Sequence, residues 1–271
     1  MLKKRIIFTL LYNEGHFVLS RNFRLQKVGN LDWLQRNYDF SKIAFYIDEL
    51  IVLDVSRGER RLDLFTDTLR QLSKGCFAPI AAGGGIRSVE QARALLHSGA
   101  DKVVVNTAMF ESPELLTALT AEFGQQCIVG SVDAKRNSEG AFEFFTSNGE
   151  QALEKSPTVA LRALPEMTVG EIYLNSMDRD GTGQGYDFAM LELLPDDWAT
   201  PVILAGGVGN SGHLHAGLLD PRVDAVATAH LFNFVGDGLR KARGNLLAEG
   251  FPLADWPALS EIGLAGASSH A

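Results

Sequence analysis

The sequence predicts an α/β fold of the (β/α)8 barrel class, built from two similar halves. Short runs rich in β-branched residues alternate with helical patterns along the chain of 271 residues. These runs are apolar almost throughout, which is typical of parallel strands covered on both faces. Eight strand–helix units in about 250 residues match the usual size of such a barrel. An open doubly wound sheet is the alternative. A duplication favours the barrel, because four units repeated twice can close on themselves.

The duplication is visible as three pairs of matching segments. They are Ile47–Ile51 with Val169–Tyr173, Ala82–Gly85 with Ala205–Val208, and Gly99–Val103 with Arg222–Val226. The first pair is offset by 122 residues and the other two by 123. A single match of this kind arises in any α/β protein. Three at nearly one offset indicate duplicated half-domains rather than a short solenoid repeat.

The apolar runs define eight predicted strands, and capping signals define helix starts between them. The strands are Arg5–Leu10, Glu49–Asp54, Pro79–Ala82, Lys102–Asn106, Ile128–Asp133, Glu171–Ser176, Val202–Ala205 and Ala225–Ala229. One helix is predicted to begin at Ser88, because Gln91 follows at the capping-box spacing. Another begins at Ser112, which is followed by Pro113 and the acidic Glu114.

The chain is predicted to form one domain with an inserted hairpin. The run Phe142–Thr146, followed by Asn148 and Gly149, predicts a hairpin after the fifth strand. No linker divides the chain, so we expect a barrel over residues 1–253 and a C-terminal extension over 254–271. The extension ends in small and polar residues, and we expect it to be partly disordered.

Composition argues against several classes of protein. Hydrophobic residues make up 46% of the chain, which permits a full core, and the net charge is −8. That charge argues against a nucleic-acid partner or an anionic membrane surface. We find no secretory signal and no apolar run of transmembrane length, so we expect a cytoplasmic protein. Cys76, Cys127 and the six histidines lack metal-ligand spacing, so no metal and no cofactor are expected.

Glycine-rich turns follow the third and seventh predicted strands. The active site of a barrel of this class lies at the C-terminal strand ends, and glycine lets backbone N–H groups approach an anion there. Two phosphate sites are therefore predicted: Gly84, Gly85, Asn106 and Thr107 in one half, and Gly206, Gly207, Asp180 and Gly181 in the other. Tight turns without a ligand are the alternative for either pair, and two pairs in matching halves favour anion binding.

Asp133, at the end of the fifth predicted strand, is the candidate general acid or base. Partial burial at a strand end raises a carboxyl pKa towards a useful range. Hydrogen bonding to loop amides is the alternative role. The matching position in the first half is Leu11, which cannot transfer a proton. Asp180, in a loop dense in polar groups, is a second candidate acid.

Four charged residues stand at strand starts, at the opposite end of the predicted barrel. They are Arg5, Glu49, Lys102 and Glu171. If they point inward, they must pair, and alternation of sign would close them into a ring. Four separately solvated charges are the alternative.

Several motifs together resemble the cyclase subunit of imidazole glycerol phosphate synthase, from Met1 to about Leu253. They are Arg5–Ile7, Asp48–Leu50, Gly83–Ser88, Ala100–Val103, Asn106–Ala108, Asp133–Arg136 and Ser176–Thr182. The resemblance implies a (β/α)8 barrel partnered with a glutaminase subunit and a substrate with two phosphates. Ammonia would enter through a gate formed by Arg5, Glu49, Lys102 and Glu171, with Asp101 at the partner interface. The phosphate motifs match the glycine sites already described.

The departures from that family concern the reacting end. Leu11 stands where the family has its first catalytic aspartate, and Leu19 replaces a phosphate-contacting lysine. Thr9 replaces a cysteine, and Asn175 replaces a threonine beside the substrate. This pattern is similar to a paralogous branch that serves acetamidino-sugar formation in bacterial surface-polysaccharide pathways.

Three functions therefore remain open at this stage. The resemblance to the paralogous branch implies an ammonia-using subunit with a phosphorylated or nucleotide-sugar substrate. The alternatives are a working cyclase of histidine biosynthesis and a non-catalytic scaffold that activates a glutaminase.

Overall fold

The computed structural model describes residues 3–38, 44–164, 168–229 and 238–254, and it shows a closed parallel barrel. The strands are β1 (Arg5–Asn13), β2 (His16–Arg21), β3 (Arg24–Gly29), β4 (Glu49–Asp54), β5 (Ile80–Gly83), β6 (Lys102–Val105), β7 (Ile128–Arg136), β8 (Phe142–Thr146), β9 (Gln151–Ala152), β10 (Glu171–Ser176), β11 (Val202–Ala205) and β12 (Ala225–Thr228). The predicted fold class is confirmed.

Eight of these strands form the barrel, in the order β1, β4, β5, β6, β7, β10, β11 and β12, with β12 pairing back to β1. The helices around it are α1 (Leu31–Tyr38), α2 (Leu62–Gly75), α3 (Val89–His97), α4 (Thr107–Glu111), α5 (Pro113–Phe123), α6 (Pro157–Arg162), α7 (Ser211–Leu219) and α8 (Gly238–Ala248). The predicted cap of α3 is present, since the Ser88 hydroxyl accepts a hydrogen bond from Gln91 N–H. Residues 255–271 of the predicted extension lie outside the described ranges.

Two antiparallel hairpins rise from the barrel, one from each half. We call β2–β3 the first hairpin and the segment from β8 to β9 the second hairpin. β1 and β7 run to Asn13 and Arg136, past the predicted ends at Leu10 and Asp133, because the end of each pairs antiparallel with the first strand of its hairpin. The first hairpin was not predicted, because its exposed residues between 21 and 27 break the apolar pattern.

At the third and seventh barrel strands, the structure gives a repeat offset one residue shorter than the predicted one. A side chain built on Gly84 would lie 2.1 Å from Asp54 O, and one on Gly206 would lie 2.6 Å from Ser176 O. Both glycines thus approach the preceding strand end in the same way, and their offset is 122 rather than the predicted 123. The 123 offset does hold for Asp101 and Asp224, so one extra residue lies between these points in the second half.

Alternation along the strands separates two apolar regions. Side chains pointing outward pack under the helices and form the larger core. Those pointing inward fill the barrel: Ile7, Ile51, Ala81, Val104, Val129, Tyr173, Ile203, Ala205, Ala225 and Ala227. Because strand side chains alternate with a period of two, the positions above and below this inner layer on the same strands also face the lumen.

A buried ion pair fastens α8 to the base of the barrel. Arg243 on α8 donates two hydrogen bonds to the Asp48 carboxylate, at 2.8 and 2.9 Å. Asp48 also accepts from Ile6 N–H at 2.8 Å. Both charged side chains are about 5% exposed, so neither can exchange its partner for water.

We expect Arg243→Met to destabilise the chain by about 3–5 kcal/mol, because it leaves the Asp48 carboxylate buried without a cation. Urea denaturation measures the change in unfolding free energy. Arg222→Met is the matched control: Arg222 pairs with Asp220 and Glu192 at the surface, and its loss is expected to cost about 1 kcal/mol or less. Equal effects of the two substitutions would contradict this account.

Candidate active site

A cavity of about 790 Å³ opens at the C-terminal ends of the barrel strands. It is lined by all ten residues predicted for catalysis and substrate binding: Gly84, Gly85, Asn106, Thr107, Asp133, Asn175, Asp180, Gly181, Gly206 and Gly207. The sequence positions that were predicted separately, in two halves of the chain, therefore face one space.

The first hairpin crosses the mouth of this cavity and is fastened to the loop after β10. The Asp180 carboxylate accepts hydrogen bonds from the Ser20 hydroxyl at 2.5 Å and from Phe23 N–H at 3.0 Å. Asn22 N–H donates to Asp180 O, and Gly181 approaches Ser20 O so closely that no side chain would fit. Asp180 thus holds the hairpin, and its role as a second acid stays a prediction.

The second hairpin crosses the mouth in the opposite direction. Ser147 N–H donates to the Thr107 hydroxyl at 3.1 Å, and Asn148 contacts Arg60 and the carbonyl of Ser56. Both turn residues are left-handed, with φ of 52° and 59°. The two hairpins meet where the Phe23 ring lies against Gly149.

Asp133 lies on the cavity wall between two amide side chains. Asn106 Nδ2 donates to one carboxylate oxygen at 3.0 Å, and Asn175 Nδ2 donates to the other at 2.8 Å. Burial raises the pKa of Asp133 from 3.8 to about 7; the bond from Asn175 opposes the rise and the charge of Asp180 adds to it. A carboxyl group of this pKa can give or take a proton near neutrality.

The matching position in the first half is apolar. Leu11 lies within β1, in register with Leu53 and Val18, and not at the strand end as predicted. Leu11, Leu19 and Leu53 all line the cavity. Asp133 is therefore the acid/base candidate on its side, and the first-half wall offers no proton-transferring group at this level among the residues described.

At the opposite end, the four predicted charges close into an alternating ring. Arg5 contacts Glu49 at 2.8 Å and Glu171 at 3.0 Å; Lys102 contacts the same two acids at 3.0 and 3.3 Å. Burial raises the pKa of Glu49, which is 2% exposed, although Lys102 and Arg5 oppose the rise. Burial would lower the pKa of Arg5, but Glu171 and Glu49 outweigh it and the pKa is raised.

Between the ring and the cavity, two hydroxyls face each other inside the barrel. Thr9 Oγ1 and the Tyr173 hydroxyl lie 3.3 Å apart, and both also border the cavity floor. Burial raises the pKa of Tyr173 well above its usual value, so the hydroxyl stays protonated. Small inward side chains lie in the same layer, Ala205 on β11 and Ala225 and Ala227 on β12, beside the larger Ile203.

Asp101 has a structural role at the base of the barrel. Its carboxylate accepts a hydrogen bond from Ile80 N–H at 2.8 Å, as Asp224 does from Val202 N–H in the other half. Its side chain is also exposed, so the predicted location at a partner interface remains open.

Sequence reasoning missed several cavity residues. Arg60, Ser147 and Asn148 line it, as do Ser20 and Phe23 of the first hairpin. Asn148 belonged to the predicted turn, which was a usable signal. Arg60 stands among other arginines after β4, and nothing in the sequence distinguishes it from them.

The described residues contain neither a metal-binding cluster nor a membrane-spanning helix. In the described ranges, no three His, Cys, Asp or Glu side chains are grouped so as to hold a metal ion. No helix within them has the length and apolar character needed to cross a bilayer.

The fold and cavity define a (β/α)8 barrel protein with a duplicated half-barrel and one mouth shared between the halves. A family model described as "Histidine biosynthesis protein" matches residues 14–236. A protein of Parasynechococcus marenigrum (strain WH8102), named "Putative imidazole glycerol phosphate synthase subunit hisF2", is 48% identical over 261 residues, covering 96% of this chain and 97% of that protein. The chain therefore belongs to the histidine biosynthesis protein family, as a relative of the synthase cyclase subunit.

The gain in unfolding free energy of Asp133→Asn over the wild type is expected to be larger at pH 8 than at pH 5. With its pKa raised to about 7, the folded chain binds this proton more tightly than the unfolded chain does. That stability is fully present below pH 3.8 and is lost as the pH rises through about 7. Asparagine does not titrate, so the variant avoids the loss.

We expect a gain of about 1–2 kcal/mol at pH 8, which is less than the shift alone implies because the cavity admits water. Asn106 Oδ1 is buried without a partner among the described residues, so a turned Asn106 amide can accept from the new side chain. Thermal unfolding at both pH values measures the difference, with exposed Asp196→Asn as the charge-loss control. A variant less stable than the wild type at pH 8 would contradict the raised pKa.

Proposed function

We propose that this chain is the ammonia-using synthase subunit of a glutamine amidotransferase complex. A glutaminase subunit docks at the ring end of the barrel, ammonia passes along the lumen, and a phosphorylated or nucleotide-sugar acceptor binds in the cavity beside Asp133. The product belongs to acetamidino-sugar formation for surface polysaccharide rather than to histidine biosynthesis. One combined observation carries this proposal. The charged ring is intact, and in the cavity above it Leu11 occupies the position that matches Asp133 in the other half.

The ring supports the proposed route because it spans the base of the lumen. Its four side chains alternate in charge at contact distances. A neutral guest can pass only if one of these contacts opens. Above the ring lies a layer of Ile7, Ile51, Val104 and Val129, which disfavours an ammonium ion but not uncharged ammonia.

The Thr9–Tyr173 pair supports the upper part of the route. Each hydroxyl offers a donor and an acceptor, and the separation of 3.3 Å is long for an O–H···O bond. Ammonia, which also donates and accepts, can bridge the two hydroxyls on its way to the Asp133 side of the cavity. The raised pKa of Tyr173 keeps the hydroxyl from losing its proton.

An aromatic pair with one exposed member supports docking at this end. Phe77, in the connection between α2 and β5, is 71% exposed and lies 5.2 Å from the ring of Phe45. Connections that precede a barrel strand lie at the same end as the charged ring. Exposed aromatic side chains are enriched at protein–protein interfaces.

A working cyclase of histidine biosynthesis is the second candidate, and the description of the family and the name of the relative favour it. It differs from the first in its chemistry. Sharing acid/base work between two carboxylates requires a second one opposite Asp133, and Leu11 cannot supply it.

We expect the purified chain with saturating ammonium to form imidazole glycerol phosphate from the phosphoribulosyl formimino carboxamide nucleotide at least about 100-fold more slowly than a cyclase with both aspartates. Leu11→Asp restores the second carboxylate and is expected to raise that rate. Chromatography of the product measures both. Turnover by the wild type at a normal cyclase rate, or growth of a histidine auxotroph lacking the cyclase subunit, would assign the chain to histidine biosynthesis.

Two substitutions at opposite ends of the barrel distinguish the scaffold alternative from the proposed function. Phe77→Asp is expected to weaken glutaminase binding by about tenfold or more, whereas Leu64→Asp, at an exposed position on α2 near the other end, leaves binding unchanged. Asp133→Asn is expected to stop product formation in the pathway while the complex stays intact. Unchanged product with Asp133→Asn would identify a scaffold. Size-exclusion chromatography of the complex and product analysis provide the readouts.

A further inference from the structure

Charge is distributed unevenly around the cavity. Among the described residues, five arginines border it: Arg21, Arg24, Arg57, Arg60 and Arg87. Four of them are exposed, and Arg60 alone is partly buried. Arg60 is therefore the one of these five arginines whose side chain is partly enclosed by the cavity wall.

Arg60 is held in a defined position over the first glycine turn. Its Nη2 donates to Asn148 Oδ1 at 3.0 Å, and Asn148 Nδ2 reaches Ser56 O at 3.4 Å. A side chain built on Gly85 would lie 2.6 Å from Arg60 Nη1 and 2.7 Å from its Cδ. The guanidinium thus rests on Gly85, and only a glycine there leaves room for it.

One donor of this guanidinium has no partner. Arg60 Nε–H is buried and donates to no acceptor among the described residues. Buried donors are almost always paired, and an unpaired one in a native cavity calls for a ligand or a functional reason. Guanidinium groups bind phosphate oxygens through paired N–H donors.

Among the described residues of the second half, no equivalent cation borders the cavity. A side chain on Gly207 would meet Gly185 O at 2.2 Å and Arg179 Cβ at 3.0 Å. Arg179 Nη1 is bonded to Gln184 Oε1 at 3.0 Å, and Arg179 does not border the cavity. The charged groups nearest this end are carboxyls, Asp133 and Asp180, whose pKa values are raised by burial.

We propose that Arg60 binds the anionic group of the ligand, a phosphate or pyrophosphate held between its guanidinium and the Gly84–Gly85 turn. The ligand carries its main negative charge at this end and is neutral or weakly charged at the Gly206–Gly207 end. This assignment rests on the proposed function in taking the cavity as the acceptor site. It deepens that function by naming a ligand with one dominant anionic end in place of one phosphate at each end.

Direct binding tests this proposal on the full chain without any glutaminase. Calorimetric titration with inorganic pyrophosphate is expected to show one dominant site per chain. Arg60→Gln is expected to weaken binding at least about tenfold, and Arg60→Lys, which keeps the charge but not the fork, by an intermediate factor. Arg61→Gln is the matched control, because Arg61 pairs with Asp63 at the surface and does not border the cavity.

Four results would overturn the proposal: no pyrophosphate binding by the wild type, two equal sites per chain, undiminished binding by Arg60→Gln, or equal weakening by Arg61→Gln. Unfolding temperatures of the variants exclude loss of fold, and Arg60→Lys provides the second test if Arg60→Gln is unstable. Ammonia-dependent turnover is not part of the readout. The proposed function can therefore fail while Arg60 still binds the anion, and the reverse also holds.

Discussion

The strict alternation of side chains along parallel strands is the constraint on which the whole molecule depends. In a closed barrel, every second residue points into the lumen. On β10, Glu171, Tyr173 and Asn175 therefore follow one another along the axis, as ring, middle layer and mouth. On β1, Arg5, Ile7, Thr9 and Leu11 do the same. A shift of one residue in β10 would turn Glu171 of the ring and Asn175 at the mouth outward together.

Duplicated halves have taken different roles on this common frame. At inward positions of the first half stand Leu11, Ile51 and Leu53, and at the matching positions of the second stand Asp133, Tyr173 and Asn175. The second half thus supplies the polar wall where a proton can move. The first half supplies apolar side chains at these three positions and, elsewhere on the cavity wall, the cation of Arg60. The two halves therefore present different walls to the cavity, one carrying the acid/base candidate Asp133 and the other carrying Arg60.

The barrel and the ring were predictable because both depend on features that are local in sequence. Apolar runs marked β4, β10 and β11 with their observed limits, and glycine turns marked both cavity sites. The first hairpin was not predictable, since exposed residues interrupt its own pattern and Asp180, which it contacts, is about 160 residues away in the sequence. Arg60 could not be distinguished from Arg57 or Arg61, because its position depends on Asn148 and on the absence of a side chain at Gly85. Long-range docking, unlike periodicity, leaves no trace in a single sequence.

The two hairpins leave the barrel from equivalent strands, yet each reaches into the other half: the first to Asp180, the second to Thr107 and Arg60. A single half-barrel has no second half for such a hairpin to contact. The contacts of each hairpin therefore depend on both halves being joined in one barrel. Phe23 of the first hairpin lies against Gly149 of the second. Because movement of either hairpin would disturb the other, access to the mouth depends on both halves.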